Sequence, residues 1–227
     1  MPSSANHPQT LFILNFHGLG KPADNLTPGE LHCWLETSFF TDILEAVRGR
    51  DDVRLTFDDG NASDHAIALP LLKARNMKAK FFVLAHRLDQ PGYLSQGQVR
   101  ELCAEGMQIG NHGMRHRKWA GLSAGELEEE LIVARENLRE VSQQPVAEAA
   151  CPFGSYGRHV LRKLRQAGYE RVYTSDGGPT ASSAWLQPRN TIVRSFDTVK
   201  IASLTREIPA GPKRLWRQCK LWLKRWR

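Results

Sequence analysis

The chain of 227 residues has no run of eighteen apolar residues, no Cys-x-x-Cys pair, no internal repeat and no low-complexity tract. The first absence argues against a membrane-spanning helix. The four cysteines, Cys33, Cys103, Cys151 and Cys219, stand far apart, which fits reduced thiols better than a disulfide framework. The first ten residues hold no Lys or Arg and so lack the basic start of a secretory signal. A cytoplasmic location is the resulting expectation. Residues 211–227 contain no acid but seven bases, Lys213, Arg214, Arg217, Lys220, Lys224, Arg225 and Arg227. Setting these seven aside leaves 24 basic against 24 acidic residues, so the tail carries the whole net charge of +7. A neutral body is not the footprint of a nucleic-acid surface, and no nucleic-acid partner is expected.

What is present fits one sizeable core. Short apolar runs predict strands over 11–16, 53–57, 79–84, 107–110, 147–151, 171–174 and 191–193. Helices are predicted over 64–75, 95–103, 123–141 and 158–167. Ser123 and Glu126 read as a capping box, and Gly168 as the end of the last of these helices. Residues 21–50 break the rhythm with a polar loop and a helix near 39–47. Strand–helix alternation of this kind implies a mostly parallel sheet, closed or nearly closed into a (β/α) barrel. The expected division is one domain over 1–210 and a basic amphipathic tail over 211–227.

In such folds active sites gather at the C-terminal ends of strands. Four predicted strands run into polar residues there: "NFHG" at His17, "LTFDDG" at Asp58 and Asp59, "GNHGMRH" at His112 and His116, and "CPFG" at 151–154. Two imidazoles four residues apart suit one metal ion, and one carboxylate completes a set with open positions. Adjacent carboxylates repel, and a cation relieves that. Followed by Gly60, the two aspartates can turn in different directions. One can bind metal while the other stays free as general base.

The TFDDG, HxxxH and CPFG motifs together, from about Leu11 to Ser195, resemble the NodB-homology polysaccharide deacetylases, carbohydrate esterase family four. The resemblance implies a deformed (β/α)7 barrel and hydrolysis of an N-acetyl group on a hexosamine. It assigns Asp58 as base and Asp59, His112 and His116 as metal ligands. The ion would be zinc, with cobalt, nickel or iron(II) as alternatives. The family's third-motif Arg is replaced here by Ala150, and its late Leu-x-His has no match in "TIVRSF". In both respects the chain is closer to the poly-N-acetylglucosamine deacetylase subgroup, whose first-strand His matches His17. That match assigns His17 as general acid. The oxyanion and substrate side is assigned to Pro152, the Phe153 N–H and Asp176, the last read equally as a turn residue. Arg189 reads either as partner of a carboxylate near the site or as a surface residue. Trp119 reads as a sugar platform or a packing residue.

In the tail, Leu215, Cys219, Trp222 and Trp226 form a stripe among bases. Such a helix can lie at an anionic membrane surface, or pack on the barrel. The expected substrate is an N-acetylated glycan or lipid-linked sugar at the inner face of the membrane. Two rivals stand beside this reading. One is a deformylase of a lipid-linked formamido sugar. The other is a glycan-binding pseudo-enzyme, for which the missing Arg and late His speak.

Overall fold

The computed structural model describes residues 9–22, 26–206, 219 and 221–224. Strands β1 (Thr10–Phe16), β2 (Val53–Asp59), β3 (Lys80–Val83), β4 (Gln108–Asn111), β5 (Glu148–Ala150) and β6 (Arg171–Thr174) pair in that order, all parallel. A short β7 (Thr180–Ala181) runs antiparallel to β1. Next, β8 (Leu186–Pro188) pairs with β6, and β9 (Asn190–Thr191) pairs with β1. One run of chain therefore touches both edges of the sheet. It closes the sheet into a nearly complete barrel with a seam at Arg189.

The helices are α1 (Pro28–His32), α2 (Thr37–Val47), α3 (Leu69–Lys73), α4 (Gln96–Ala104), α5 (Ala124–Glu128), α6 (Ala134–Ser142), α7 (Arg158–Gln166) and α8 (Thr198–Leu204). A wide π-turn, Asp64–Ala68, leads into α3, and another, Glu129–Val133, joins α5 to α6. The predicted capping box forms: the Ser123 hydroxyl accepts the Glu126 N–H, and Glu126 reaches back to the Ser123 N–H. Ser95 and Gln98 form a second box at α4. Each box satisfies N–H groups that the first helical turn leaves unpaired.

Side chains alternate between the two faces of each strand. Phe12, Leu14 and Phe16 on β1, Val53, Leu55 and Phe57 on β2, and Phe81 and Val83 on β3 face the helices in the main core. Ile13, Phe82, Ala150 and Tyr173 meet in a second, small cluster inside the barrel. By the same alternation Asn15, Thr56 and Asp58 face inward. The outer core includes a row of rings: Phe40 meets Phe16 edge-on at 5.2 Å, and Phe57 stacks on Phe81 at 4.7 Å.

The structure departs from the predicted elements in several ways, and the short helices α1 and α8 were not predicted. Strand β2 runs two residues beyond 57 and carries both aspartates. The strand predicted over 191–193 is Asn190–Thr191. Strands β7 and β8, too short for a periodic signal, were not predicted. Most of the tail over 211–227 lies outside the described residues; 219 and 221–224 have helical backbone. Among the described residues no helix is long and apolar enough to cross a membrane.

Phe40 is fully buried between Phe16 and Phe57. Replacing it with Ala should destabilise the fold by about 3–5 kcal/mol, read as a lowered midpoint in guanidinium denaturation with an unchanged slope.

Candidate active site

Asp58 and Asp59 end β2 but leave it in different directions. Asp58 keeps the strand's alternation and points into the barrel. Asp59 has φ +79° and Gly60 φ +71°. Two left-handed residues in succession turn the chain sharply and swing Asp59 to the rim. A side chain at Gly60 would also collide with Val83, its Cβ coming 2.9 Å from the Val83 Cγ1.

Asp58 is 3% exposed and Arg189 is 0% exposed. They form a two-pronged ion pair: Arg189 Nη1 donates to Asp58 Oδ1 and Nη2 to Oδ2, both at 2.7 Å. Asn15 Nδ2 donates to Oδ2 at 3.0 Å, and Arg189 Nη1 also donates to Asn15 Oδ1 at 2.7 Å. The Thr56 hydroxyl donates to that same Asn15 oxygen at 2.8 Å. The guanidinium lies over the rings of Phe82 at 5.2 Å and Tyr173 at 5.8 Å. Burial alone would raise the Asp58 carboxyl. The Arg189 guanidinium, by its charge and its two hydrogen bonds, outweighs it and holds the group well below the usual carboxylate range.

Asp59, His112 and His116 come together at the rim, with one ligand atom from each lying within 4.8 Å of the others. Asp59 Oδ1 is 3.5 Å from His112 Nε2 and 3.3 Å from His116 Nε2. That oxygen is buried and has no hydrogen-bond donor. His112 Nδ1 lies 2.9 Å from the Ala150 carbonyl. A carbonyl only accepts, so Nδ1 carries the proton and Nε2 presents its lone pair to Asp59. Burial pushes the His116 imidazole down to about 4, against the pull of the Asp59 carboxylate, so it is neutral near pH 7. Lone pairs that converge on a buried carboxylate oxygen repel one another unless a cation lies among them. The residues present therefore fit a divalent ion, with the nitrogen and oxygen donors that zinc accepts.

The imidazoles are held by groups that no sequence motif marks. Asn111 ends β4 and accepts the Gly113 N–H at 2.7 Å; its amide donates to the Glu130 carbonyl and the Tyr169 hydroxyl. The Glu130 carboxylate, buried in the second π-turn, accepts the N–H groups of Met114 at 2.8 Å and Arg115 at 3.2 Å. It also approaches Gly113 so closely that a Cβ there would lie 2.2 Å from its oxygen. The His112–His116 loop is thus wrapped around one carboxylate. His116 itself has φ +57°, and its ring stacks on Phe153 at 4.3 Å.

The remaining predicted residues surround this centre. His17 leaves β1 beside Asp58, half-buried, with Nδ1 buried and without a partner. Pro152 is buried, whereas Phe153, with φ +56°, is 60% exposed over His116. Asp176 spends both oxygens on protein donors. Oδ2 accepts from the Tyr156 and Thr174 hydroxyls at 2.7 Å, and Oδ1 pairs with Lys224 at 2.6 Å. Trp119 is fully buried against Glu130. Burial pushes the Cys151 thiol up to about 12, which leaves it unreactive.

A nearly closed parallel barrel with one carboxylate and two imidazoles at its C-terminal rim, beside a second carboxylate clamped by arginine, defines a barrel protein with a candidate metal site. The polysaccharide deacetylase family model matches residues 46–172, more than half of the chain, and the chain belongs to that family. It is 30% identical over 132 residues to a chitooligosaccharide deacetylase of Bradyrhizobium, covering 57% of this chain and 58% of that one. It is 28% identical over 126 residues to the peptidoglycan-N-acetylmuramic acid deacetylase PdaA of Bacillus subtilis, covering 54% and 46%. The chain spans about half the length of the curated relatives it matches. Among solved structures, IcaB from Ammonifex degensii superposes with a TM-score of 0.71 at 19% identity, covering 87% of this chain and 96% of that one. The Streptococcus pyogenes deacetylase PplD, solved with acetate, gives 0.76 at 18%, covering 88% and 100%. At such identities the likeness is one of fold, the NodB-type deformed barrel.

Removing the Glu130 carboxylate should loosen the loop without touching a ligand. Glu130→Ala is expected to weaken divalent-metal binding about 10–100-fold, measured by calorimetric titration of metal into the apoprotein.

Proposed function

We propose that this protein is a metal-dependent hydrolase that removes the acetyl group from an N-acetylhexosamine. The observation that carries the reading is the convergence of Asp59, His112 and His116 within 4.8 Å beside a separately held Asp58. The relatives named as deacetylases of chitooligosaccharide and peptidoglycan support the substrate class.

Asp59, His112 and His116 would hold a divalent ion, zinc before cobalt, nickel or iron(II). When bound, the ion supplies Lewis acidity and favours ionisation of water near neutral pH. Asp58 takes the proton of the attacking water. Arg189 and Asn15 fix the direction of that carboxylate, so its free lone pairs face the rim. His17 delivers a proton to the departing amide nitrogen, which leaves as a free amine. The Phe153 N–H, in the turn begun by Pro152, faces the carbonyl oxygen as charge develops on it. Asp176, through its three donors, shapes the wall on the sugar side. The products are acetate and the hexosamine.

Arg189 weighs against the pseudo-enzyme reading, because the guanidinium absent from the third motif is present at the base from the seam between β8 and β9. The domain over 1–210 would carry the chemistry, and the tail over 211–227 its attachment to a membrane. The free Cys33, Cys103 and Cys151 are in keeping with the cytoplasmic side.

The decisive assay is acetate release from N-acetylglucosamine oligomers, lipid-linked and nucleotide-linked N-acetylhexosamines, with and without added zinc. Turnover should vanish with a chelator and return with metal; formate release in place of acetate would make the enzyme a deformylase. Asp58→Asn should abolish turnover while metal binding persists, and undiminished turnover would refute its role as base. Arg189→Met should lower kcat about 100-fold or more, with smaller change in KM, because it disorders the base rather than the sugar contacts.

A further inference from the structure

Among the described residues of the basic tail, Lys224 meets the barrel. Its Nζ pairs with Asp176 Oδ1 at 2.6 Å and lies 4.4 Å from the centroid of the Tyr156 ring. The seat is built by the barrel itself, since the Tyr156 and Thr174 hydroxyls fix the other Asp176 oxygen. Two loops of the active-site rim contribute. Tyr156 belongs to the loop that carries Phe153, and Asp176 to the loop after β6. These loops touch: a Cβ on Gly154 would lie 3.2 Å from the Ser175 Cβ. Lys224 thus clamps the tail onto both loops at once.

The helical segment at 221–224 has the reverse polarity of a helix packed on a core. Its lysine turns inward, while Trp222 is 59% exposed and Leu223 58% exposed. Cys219, one turn earlier on the predicted apolar stripe, is also exposed. Among the described residues five large apolar side chains are exposed: Val133, Phe153, Val199, Trp222 and Leu223. Three of the five, Phe153, Trp222 and Leu223, lie on the clamped loops or the clamped tail. Cations accompany them. Lys118 Nζ lies 5.7 Å over the Phe153 ring, and the segment 211–227 has seven bases and no acid. Exposed Trp222 and Leu223, in a segment of sequence rich in Lys and Arg, match the boundary between anionic headgroups and acyl chains.

We infer that Lys224 latches the tail to the rim of the active-site mouth, so that Phe153, Trp222 and Leu223 form one surface that seats the mouth on an anionic phospholipid bilayer. This rests on the deacetylase reading for its substrate consequence. The sugar is presented from the membrane on a lipid anchor rather than captured from solution. The latch sets orientation; the cations and Trp222 set attachment.

The test uses the full chain with vesicles of phosphatidylcholine, alone or with about one-third phosphatidylglycerol, read by co-sedimentation and by hydrogen exchange. Binding is expected only to the anionic vesicles and should fall steeply as salt rises. Trp222→Ser combined with Leu223→Ser should weaken it about tenfold or more. On vesicles, amides of 153–156 and of 221–224 should be protected together. Lys224→Ala should keep protection at 221–224 and lose the vesicle-dependent protection at 153–156. Equal binding to neutral vesicles, indifference to the double Ser variant, or a protected tail with 153–156 never protected would each overturn the inference. Tail-dependent binding to mixed-sequence RNA that exceeds vesicle binding at equal salt would do so too. A chain that binds anionic vesicles but releases no acetate from either soluble or lipid-linked N-acetylated sugars sinks the deacetylase reading alone. One that releases acetate but ignores vesicles sinks the latch alone.

Discussion

The site depends on the ion pair between Arg189 and Asp58 inside the barrel. Each partner is buried and neither could remain charged there alone. The two-pronged geometry leaves the carboxylate almost no rotational freedom, and Asn15 and Thr56 add further hydrogen bonds around the pair. The resemblance to the deacetylases calls for an arginine at position 150. Here that position is a small Ala150, which packs with Ile13, Phe82 and Tyr173 in the interior. The rings of Phe82 and Tyr173 lie under the guanidinium of Arg189, which arrives from the seam between β8 and β9. The charge is retained and its origin on the chain has moved.

The metal-binding half is built on a different principle, local backbone strain held in place by neighbours. Asp59, His116 and Phe153 all have positive φ, an arrangement that persists only where the surroundings over-determine it. The surroundings are identifiable. Glu130 holds the loop after β4, the Ala150 carbonyl fixes the tautomer of His112, and Phe153 covers the face of His116. The π-turn that delivers Glu130 widens its helix by one residue, a device found often near functional sites.

Much of this was legible from the sequence, for physical reasons that differ by residue. TFDDG and HxxxH are local motifs at the ends of long apolar strands, so their positions on the rim follow from alternation and chain direction. The capping box at Ser123 is equally local. Glu130 gives no such signal, because an acidic residue in a charged helix reads as a solvated face until its carboxylate is seen turned inward. Arg189 could be read two ways, since its role depends on β8 and β9 pairing with opposite edges of the sheet. Those strands are three and two residues long, too short to carry a period. The direction of Trp222 and Leu223 likewise needs the Lys224 contact, which joins residues 48 apart.

The family model spans 46–172, which contains the aspartates and both imidazoles but neither His17 nor Arg189. Barrel closure brings those two in from outside that window, one on the first strand and one at the final seam. A fragment trimmed to the recognisable window would keep its three clustered ligands and strand an unneutralised carboxylate among apolar walls. Family membership and the proposed chemistry thus draw on different lengths of this chain. Divergence among relatives can be expected to concentrate in the two flanks, where an alignment of the shared window would not register it.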